Sequence, residues 1–265
     1  MGSMPSQIAH ASNAPLAGVR GLVFGIGAQK AGTTWLAQVL AAHPAVHMPR
    51  KELHYWDVIR YPYTGWDQMG GAMATDPLDH GAYLAALTEG RGRAELVAEM
   101  TPSYALCTAA TFAEMAALHT DVRFVLVMRD PVGRLVAGLR HKMRLAGLAP
   151  RAEVLARLMD EALDNPADPD FLRSRYDLTL ARLDKAGARV LPMFYETLFT
   201  PAAMARVGPF LGLADVQADF ARRVNPGAAP LPVDPARLAA ARRVLSPAYD
   251  DAARRFGSDL PEGWA

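Results

Sequence analysis

This sequence predicts an α/β fold in three layers, with a mainly parallel sheet flanked by helices, and three stretches carry the prediction. Leu22 to Ile26 is a short continuous apolar run that passes through a glycine-bearing turn into a segment with helical spacing. Val122 to Met128 is a second near-continuous apolar run, and it ends at Arg129-Asp130-Pro131, a helix start. Ala94 to Glu99 is a third stretch, which can form a strand ahead of an alanine-rich helical segment. Strands that are apolar at nearly every position suit a parallel sheet covered on both faces, and their alternation with helices is the α/β pattern.

In chain order, Met1-Gly-Ser-Met4 reads as a tag remnant, and residues 1–18 are expected to be disordered or loosely ordered. Residues 19–265 fit one domain. Trp35, Leu36, Val39 and Leu40 fall at helical spacing, and His43-Pro44 ends that helix, with His43 as a polar helix-end residue. Arg60 to His80 carries aromatics, glycine and methionine without a period, the mark of a loop over a site. Tyr61, Tyr63 and Trp66 there could contact an acceptor or pack on the core. A helix follows over Gly81 to Thr88, then a turn at Gly90 to Gly92 and a strand over Ala94 to Glu99.

Ala105 to His119 reads as a helix burying Leu106, Phe112, Met115 and Leu118. After Pro131, the stripe Leu135, Leu139 and Met143 points inward and Gly147 is a stop. Arg151 to Ala186 reads as two helical pieces broken at Asp164 to Pro169. A further helix runs from Thr200-Pro201 to Leu211-Gly212, and the last helices occupy Asp234 to Arg255.

Composition excludes several classes. A formal net charge of +1 argues against a nucleic-acid partner. No apolar run reaches membrane-span length and no signal peptide is visible, so a soluble protein without a membrane partner is expected. Cys107 stands alone, which precludes an internal disulfide and fits the reducing cytoplasm, with the thiol as core filler. Oligomeric state is left open.

The chemistry centres on Gly25-Ile-Gly-Ala-Gln-Lys-Ala-Gly-Thr-Thr34. Gly25, Gly27 and Gly32 allow backbone conformations that turn amides toward an anion at the positive end of the following helix. Lys30 adds a charge, and Thr33 and Thr34 add hydroxyls. A nucleoside-triphosphatase loop, G-x-x-x-x-G-K-[ST], fails here twice: Gln29 replaces its last glycine and Ala31 the hydroxyl that ligates magnesium. A phosphate-bearing nucleotide without a metal remains. Arg129, at the carboxyl end of a strand, lies where open α/β sheets bind ligands, and Asp130 is a natural N-cap. Arg50-Lys-Glu-Leu-His-Tyr-Trp-Asp57 gathers a carboxylate, an imidazole and two aromatics into one wall.

Lys30-Ala-Gly-Thr-Thr-Trp-Leu36 resembles the 5′-phosphosulfate loop of sulfotransferases that use 3′-phosphoadenosine 5′-phosphosulfate. Residues 51–57 resemble the K-E-x-H-[FY]-[FW]-D segment of the family's heparan-sulfate-type branch, and 98–104 its [GA]-E-x-T-P-x-Y element, in a bacterial-like soluble form. Residues 129–137 resemble the 3′-phosphate element R-[ND]-P-x-x-R-x-x-S. The resemblance implies a P-loop-like sulfotransferase fold and transfer of a sulfuryl group, without a metal, to a hydroxyl or amine of a small-molecule, carbohydrate or carrier-bound acceptor. It implies that Gln29, Lys30, Ala31, Gly32, Thr33, Thr34, Trp35 and Arg129 hold the nucleotide, with Arg222 on a loop closing over adenine.

Glu52 would be the general base and Lys30 would stabilise the departing phosphate oxygen. The bland reading of Glu52 is a surface carboxylate paired with Lys51 or Arg50. His54 could orient Glu52, touch the transferring group, or be a satisfied buried histidine.

Two positions depart from the family. Met100 replaces a lysine beside the acceptor pocket, which argues against a polyanionic acceptor unless the methionine merely fills space. Ala137 replaces the serine that binds the 3′-phosphate, a loss of ~1.5–3 kcal/mol. Arg134, Arg140, Arg222 and Arg223 are possible substitutes or a solvated face, and Arg173 and Arg175 count as charged helix surface. The rival readings are a phosphotransferase with a degenerate loop and a nucleotide-binding module without catalysis.

Overall fold

The computed structural model describes residues 14–60, 80–222, 224 and 230–264. Tyr61, Tyr63 and Trp66 of the expected aromatic loop, Arg223, and most of the segment expected to close over adenine lie outside the described residues.

The expected architecture is observed. Five strands, β1 (Gly21–Gly27), β2 (Val46–His47), β3 (Leu96–Met100), β4 (Val122–Met128) and β5 (Val190–Phe194), form a sheet in the order β2-β3-β1-β4-β5. Each neighbouring pair is parallel. Every residue of β1, β3 and β4 is buried, as continuous apolar runs require. The chain leaves β1 toward one edge, returns to β3 beside β1, then crosses to β4 on its other side. The carboxyl ends of β1, β3 and β4 therefore frame a topological switch point, where loops diverge and leave a crevice. The sequence gives no sign of β2, because two residues are too few to set a period.

Helices α1 (Thr33–Ala41), α2 (Tyr55–Arg60), α3 (His80–Thr88), α4 (Ala109–Ala116), α5 (Pro131–Leu145) and α6 (Ala152–Asp164) occupy the first two thirds. Then come α7 (Pro169–Leu172), α8 (Tyr176–Lys185), α9 (Tyr195–Leu198), α10 (Pro201–Leu211), α11 (Pro235–Val244) and α12 (Ser246–Phe256). A 3-10 turn over Ala14–Leu16 precedes β1 and buries Leu16. Among the described residues, no helix is long and apolar enough to cross a membrane.

Three expectations change. The helix expected over Ala105 to His119 divides: Pro102–Leu106 winds into a 3-10 turn, and α4 starts only after Thr108, whose hydroxyl accepts from the Thr111 amide. The region 151–186 has a third helical piece, α7, because Asp168 accepts from the amides of Asp170 and Phe171 and nucleates a turn. That turn also corrects two arginines assigned to solvated faces. Arg134 is fully buried, donating to Ser174 Oγ at 2.7 Å and to the Asp170 carbonyl at 2.5 Å, and Arg173 is buried 3.8 Å from Asp170 Oδ1. A charge pattern read along one helix cannot reveal a partner brought in by another.

Gly25 is a strand residue, not a turn residue. A Cβ built on it would sit 2.3 Å from Met100 Cγ and 2.7 Å from Met100 Cε. Met100 is itself 1% exposed, so it fills core space against Gly25 and does not line a pocket. The argument against a polyanionic acceptor drawn from Met100 thus loses its basis. Gly25→Ala is expected to destabilise the fold by about 1–3 kcal/mol through overpacking. Gly25→Ala combined with Met100→Ala should recover part of that loss, as a double-mutant cycle in urea would measure.

Candidate active site

The turn between β1 and α1 is built to leave amides open. Gly32 takes φ +85° as the N-cap of α1, and a Cβ there would meet Leu198 Cδ2 at 2.8 Å. The amides of Trp35 and Leu36 already close on the Gly32 carbonyl. Among the described residues, no backbone carbonyl takes the amides of Gly32, Thr33 or Thr34, which lie at the positive end of a nine-residue helix. Lys30 adopts φ +70°, a strained conformation for a residue with a Cβ. Ala31 and Thr33 are buried, whereas Gln29, Lys30 and Thr34 are half-buried at the crevice. Trp35 packs edge-on to Phe199, with ring centroids 4.9 Å apart, and its indole donates to the Asp219 carbonyl at 3.1 Å. This contact brings the turn that carries the exposed Arg222 beside α1.

Arg129 follows β4 directly and reaches this loop: its Nη1 donates to the Lys30 carbonyl at 3.2 Å, and its guanidinium lies 4.7 Å from the Tyr195 ring centroid. Its backbone is clamped by Tyr176, whose hydroxyl accepts from the Arg129 amide and donates to the Arg129 carbonyl. Asp130 caps α5 by accepting from the Gly133 amide at 2.6 Å, while Glu196 accepts from the Asp130 amide at 2.8 Å. Tyr176 and Glu196 therefore position the arginine. Ala137 is half-buried on α5, one turn beyond Gly133.

Burial lowers the Lys30 ammonium below its usual range, and the charges of Arg144, Arg129, Lys51 and Arg140 lower it further. Four further cations thus act on the Lys30 ammonium, an arrangement that repels itself until anions enter.

The wall at residues 51–57 is hung on the segment that follows β3. The Met100 amide donates to the Lys51 carbonyl at 2.6 Å and the Leu53 amide to Thr101 Oγ1 at 3.3 Å. The Tyr104 hydroxyl accepts from the amides of Tyr55 and Trp56, and Ser103 Oγ donates to Asp57 Oδ2. The segments 51–57 and 98–104 are thus one structural unit, and Thr101, Ser103 and Tyr104 are structural supports of the wall that sequence reading did not assign.

Within that unit the side chains form a relay. Lys51 Nζ bonds Glu52 Oε1, His54 Nε2 lies 3.1 Å from Glu52 Oε2, and His54 Nδ1 lies 2.8 Å from the buried Asp57 Oδ2. His54 holds φ +56°, a second strained residue in the site. Burial opposes the charged imidazole, but hydrogen bonds and charge from Asp57 and Glu52 outweigh it and push His54 up to about 9. Burial also opposes the Glu52 carboxylate, yet the His54 bond and the Lys51 charge hold it below the ordinary carboxylate range. At neutral pH, then, Glu52 is ionised and His54 is an imidazolium. The pairing of Glu52 with Lys51 is present, and it coexists with the His54 bond.

Beneath the relay, Glu99 is buried and accepts from the Tyr83 hydroxyl at 2.9 Å. Burial raises it to about 7.

The fold agrees with comparisons to known proteins. Among solved structures, the chain is similar to a sulfotransferase from Alicyclobacillus acidocaldarius, with 20% identity, a TM-score of 0.70, and coverage of 91% of this chain and 97% of that one. It is also similar to the sulfotransferase domain of the olefin synthase of Synechococcus PCC 7002, with 17% identity, a TM-score of 0.52, and coverage of 92% and 96%. No curated protein matches it. The sequence profile of the sulfotransferase family matches residues 23–216, a span that begins in β1, holds both the phosphate loop and Arg129, and ends after α10. The chain belongs to the sulfotransferase family.

Proposed function

We propose that this sulfotransferase moves a sulfuryl group from 3′-phosphoadenosine 5′-phosphosulfate to a hydroxyl or amine of a small-molecule, carbohydrate or carrier-bound acceptor. The observation that carries the donor assignment is the coupling of two anion positions, the open amides and Lys30 at α1 and the Arg129 guanidinium bonded to the Lys30 carbonyl. Gly32, Thr33, Thr34 and Lys30 would hold the 5′-phosphosulfate and Arg129 the 3′-phosphate, with Gln29, Ala31, Trp35 and Arg222 around them. The donor supplies an activated sulfuryl group on a phosphate leaving group.

What this chain supplies is a proton acceptor, fixed positive charge and a reaction path. His54 is already protonated, so it cannot take a proton at neutral pH, which leaves Glu52 as the base of the pair. His54 keeps Glu52 ionised and oriented, and Asp57 keeps His54 charged. Lys51 holds the other Glu52 oxygen. The open amides and Lys30 stabilise charge that builds on the leaving oxygen.

The segments 51–57 and 98–104 favour kinship with the heparan-sulfate-type branch, and the lone buried Cys107 favours a cytoplasmic location. We take residues 19–265 as one catalytic domain.

Calorimetry tests the donor. Expected is 1:1 micromolar binding of 3′-phosphoadenosine 5′-phosphate without magnesium, weakened about 10-fold or more by Arg129→Ala, the worth of a charge-assisted bond. Preference for ATP with magnesium would overturn the assignment in favour of a phosphotransferase.

A further inference from the structure

Two phenol groups hold the backbone at Arg129 and the helix cap at Asp130. The Tyr176 hydroxyl, at the start of α8, accepts from the Arg129 amide at 3.2 Å and donates to the Arg129 carbonyl at 3.0 Å. The Tyr249 hydroxyl, on α12, donates to Asp130 Oδ2 at 2.6 Å and accepts from the Val132 amide at 3.3 Å. A hydroxyl fixes a backbone only as well as its own ring is fixed.

Both rings rest on Trp264. The Tyr176 ring stacks on the indole, with centroids 6.1 Å apart and 21° between the planes. The Tyr249 ring meets it at 6.1 Å and 69°, and the ring of Phe194, the last residue of β5, meets it at 5.2 Å and 78°. Trp264 is buried, and among the described residues its indole N–H has no hydrogen-bond partner, so packing sets the position of the ring. Its backbone is anchored separately by Arg242 of α11, which donates to the Trp264 carbonyl at 3.1 Å and to the Gly263 carbonyl at 3.4 Å. The Arg242 guanidinium also lies 4.1 Å from the Tyr249 ring centroid. The helices that carry the two phenols are tied to each other, since Arg255 of α12 donates to Asp184 Oδ2 of α8 at 2.7 Å.

We propose that Trp264 is a positioning residue for Arg129: packed against both Tyr176 and Tyr249, it fixes the backbone from which the guanidinium reaches the nucleotide's 3′-phosphate, and Arg242 holds it in place. The inference rests on the donor assignment above. On that assignment the serine hydroxyl that would share the 3′-phosphate is missing at Ala137, so the grip depends on how well one guanidinium is oriented before the nucleotide arrives. An arginine on a looser backbone would lose binding free energy to ordering. The 5′-phosphate is assigned to a different element, the α1 amides and Lys30.

Two nucleotides that differ only in the 3′-phosphate therefore separate positioning from general stability: 3′-phosphoadenosine 5′-phosphate and adenosine 5′-phosphate, each titrated by calorimetry. Trp264→Leu is expected to weaken the first about fivefold or more and the second less than about twofold, the selective loss of part of a charge-assisted bond. A merely structural role would lower the folded fraction and weaken both alike. Trp264→Phe keeps a ring on Tyr176 and should return the ratio of the two affinities to within about twofold of wild type. Added to Arg129→Ala, Trp264→Leu should cost the 3′-phosphorylated nucleotide less than about a further twofold, because its effect passes through that arginine.

Equal weakening of both nucleotides, unchanged affinity for both, no recovery in Trp264→Phe, or an undiminished effect on Arg129→Ala would overturn the positioning role. If circular dichroism shows that Trp264→Leu does not fold, Arg242→Gln decides: it keeps the indole and removes its backbone anchor. A selective loss of about threefold or more for the 3′-phosphorylated nucleotide is then expected, and its absence overturns the role. If the wild-type protein binds 3′-phosphoadenosine 5′-phosphate no more tightly than adenosine 5′-phosphate, the donor assignment fails, and the inference with it.

Discussion

Glu52→Gln is expected to lower kcat about 10²–10⁴-fold, the usual worth of a positioned proton acceptor, with nucleotide affinity nearly unchanged. The amide is nearly isosteric and can still accept from His54, so the loss reports basicity rather than packing. Single-turnover sulfuryl transfer, followed alongside calorimetry with the product nucleotide, separates the two; full activity in the variant would remove Glu52 from the mechanism.

The pH profile carries a second signature of the relay. Activity needs ionised Glu52 and protonated His54, so the descending limb should fall near 9, the His54 value, and the acid limb below the ordinary carboxylate range. Asp57→Asn removes one of the two carboxylates that hold the imidazolium, and the descending limb should move to lower pH. Stability follows the same group. Its folded pKa lies above the unfolded 6.5, so its contribution is complete below pH 6.5 and is lost as pH rises through about 9.

Lys30→Met is the other large effect, about 10²–10³-fold in kcat. The Lys30 ammonium is held below its usual range by burial and by Arg144, Arg129, Lys51 and Arg140, so anions in the crevice relieve repulsion and the charge is strengthened when charge develops. Because the open amides and Arg129 remain, nucleotide binding should weaken less than kcat falls. A variant that lost binding and kept kcat would assign Lys30 to ground-state binding alone.

Much of this was legible because the relevant signals are local. Apolar runs at 22–26 and 122–128 specified buried parallel strands, and the capping residue Asp130 with Pro131 fixed where α5 begins. Ala31 argued against a magnesium loop without reference to any other part of the chain. Contacts between distant segments were not legible. Arg134 and Arg173 had the spacing of a solvated face, and only α7, bringing Asp170 and Ser174 over α5, buries them. Gly25 and Met100 lie on different strands, and only the β1–β3 register sets one against the other.

The sequence by itself determined the fold class, the order of the two proposed phosphate elements, and the residues available as base and cation, because each is written in short-range spacing and residue type. Tertiary structure alone decided that Thr101, Ser103 and Tyr104 support the 51–57 wall, that His54 is held charged between two carboxylates, and that Arg129 reaches back to the Lys30 carbonyl. The physical reason is that hydrogen-bond partners, burial and electrostatic neighbours depend on distances in space, and one strand pairing or helix crossing can bring together residues far apart in the chain.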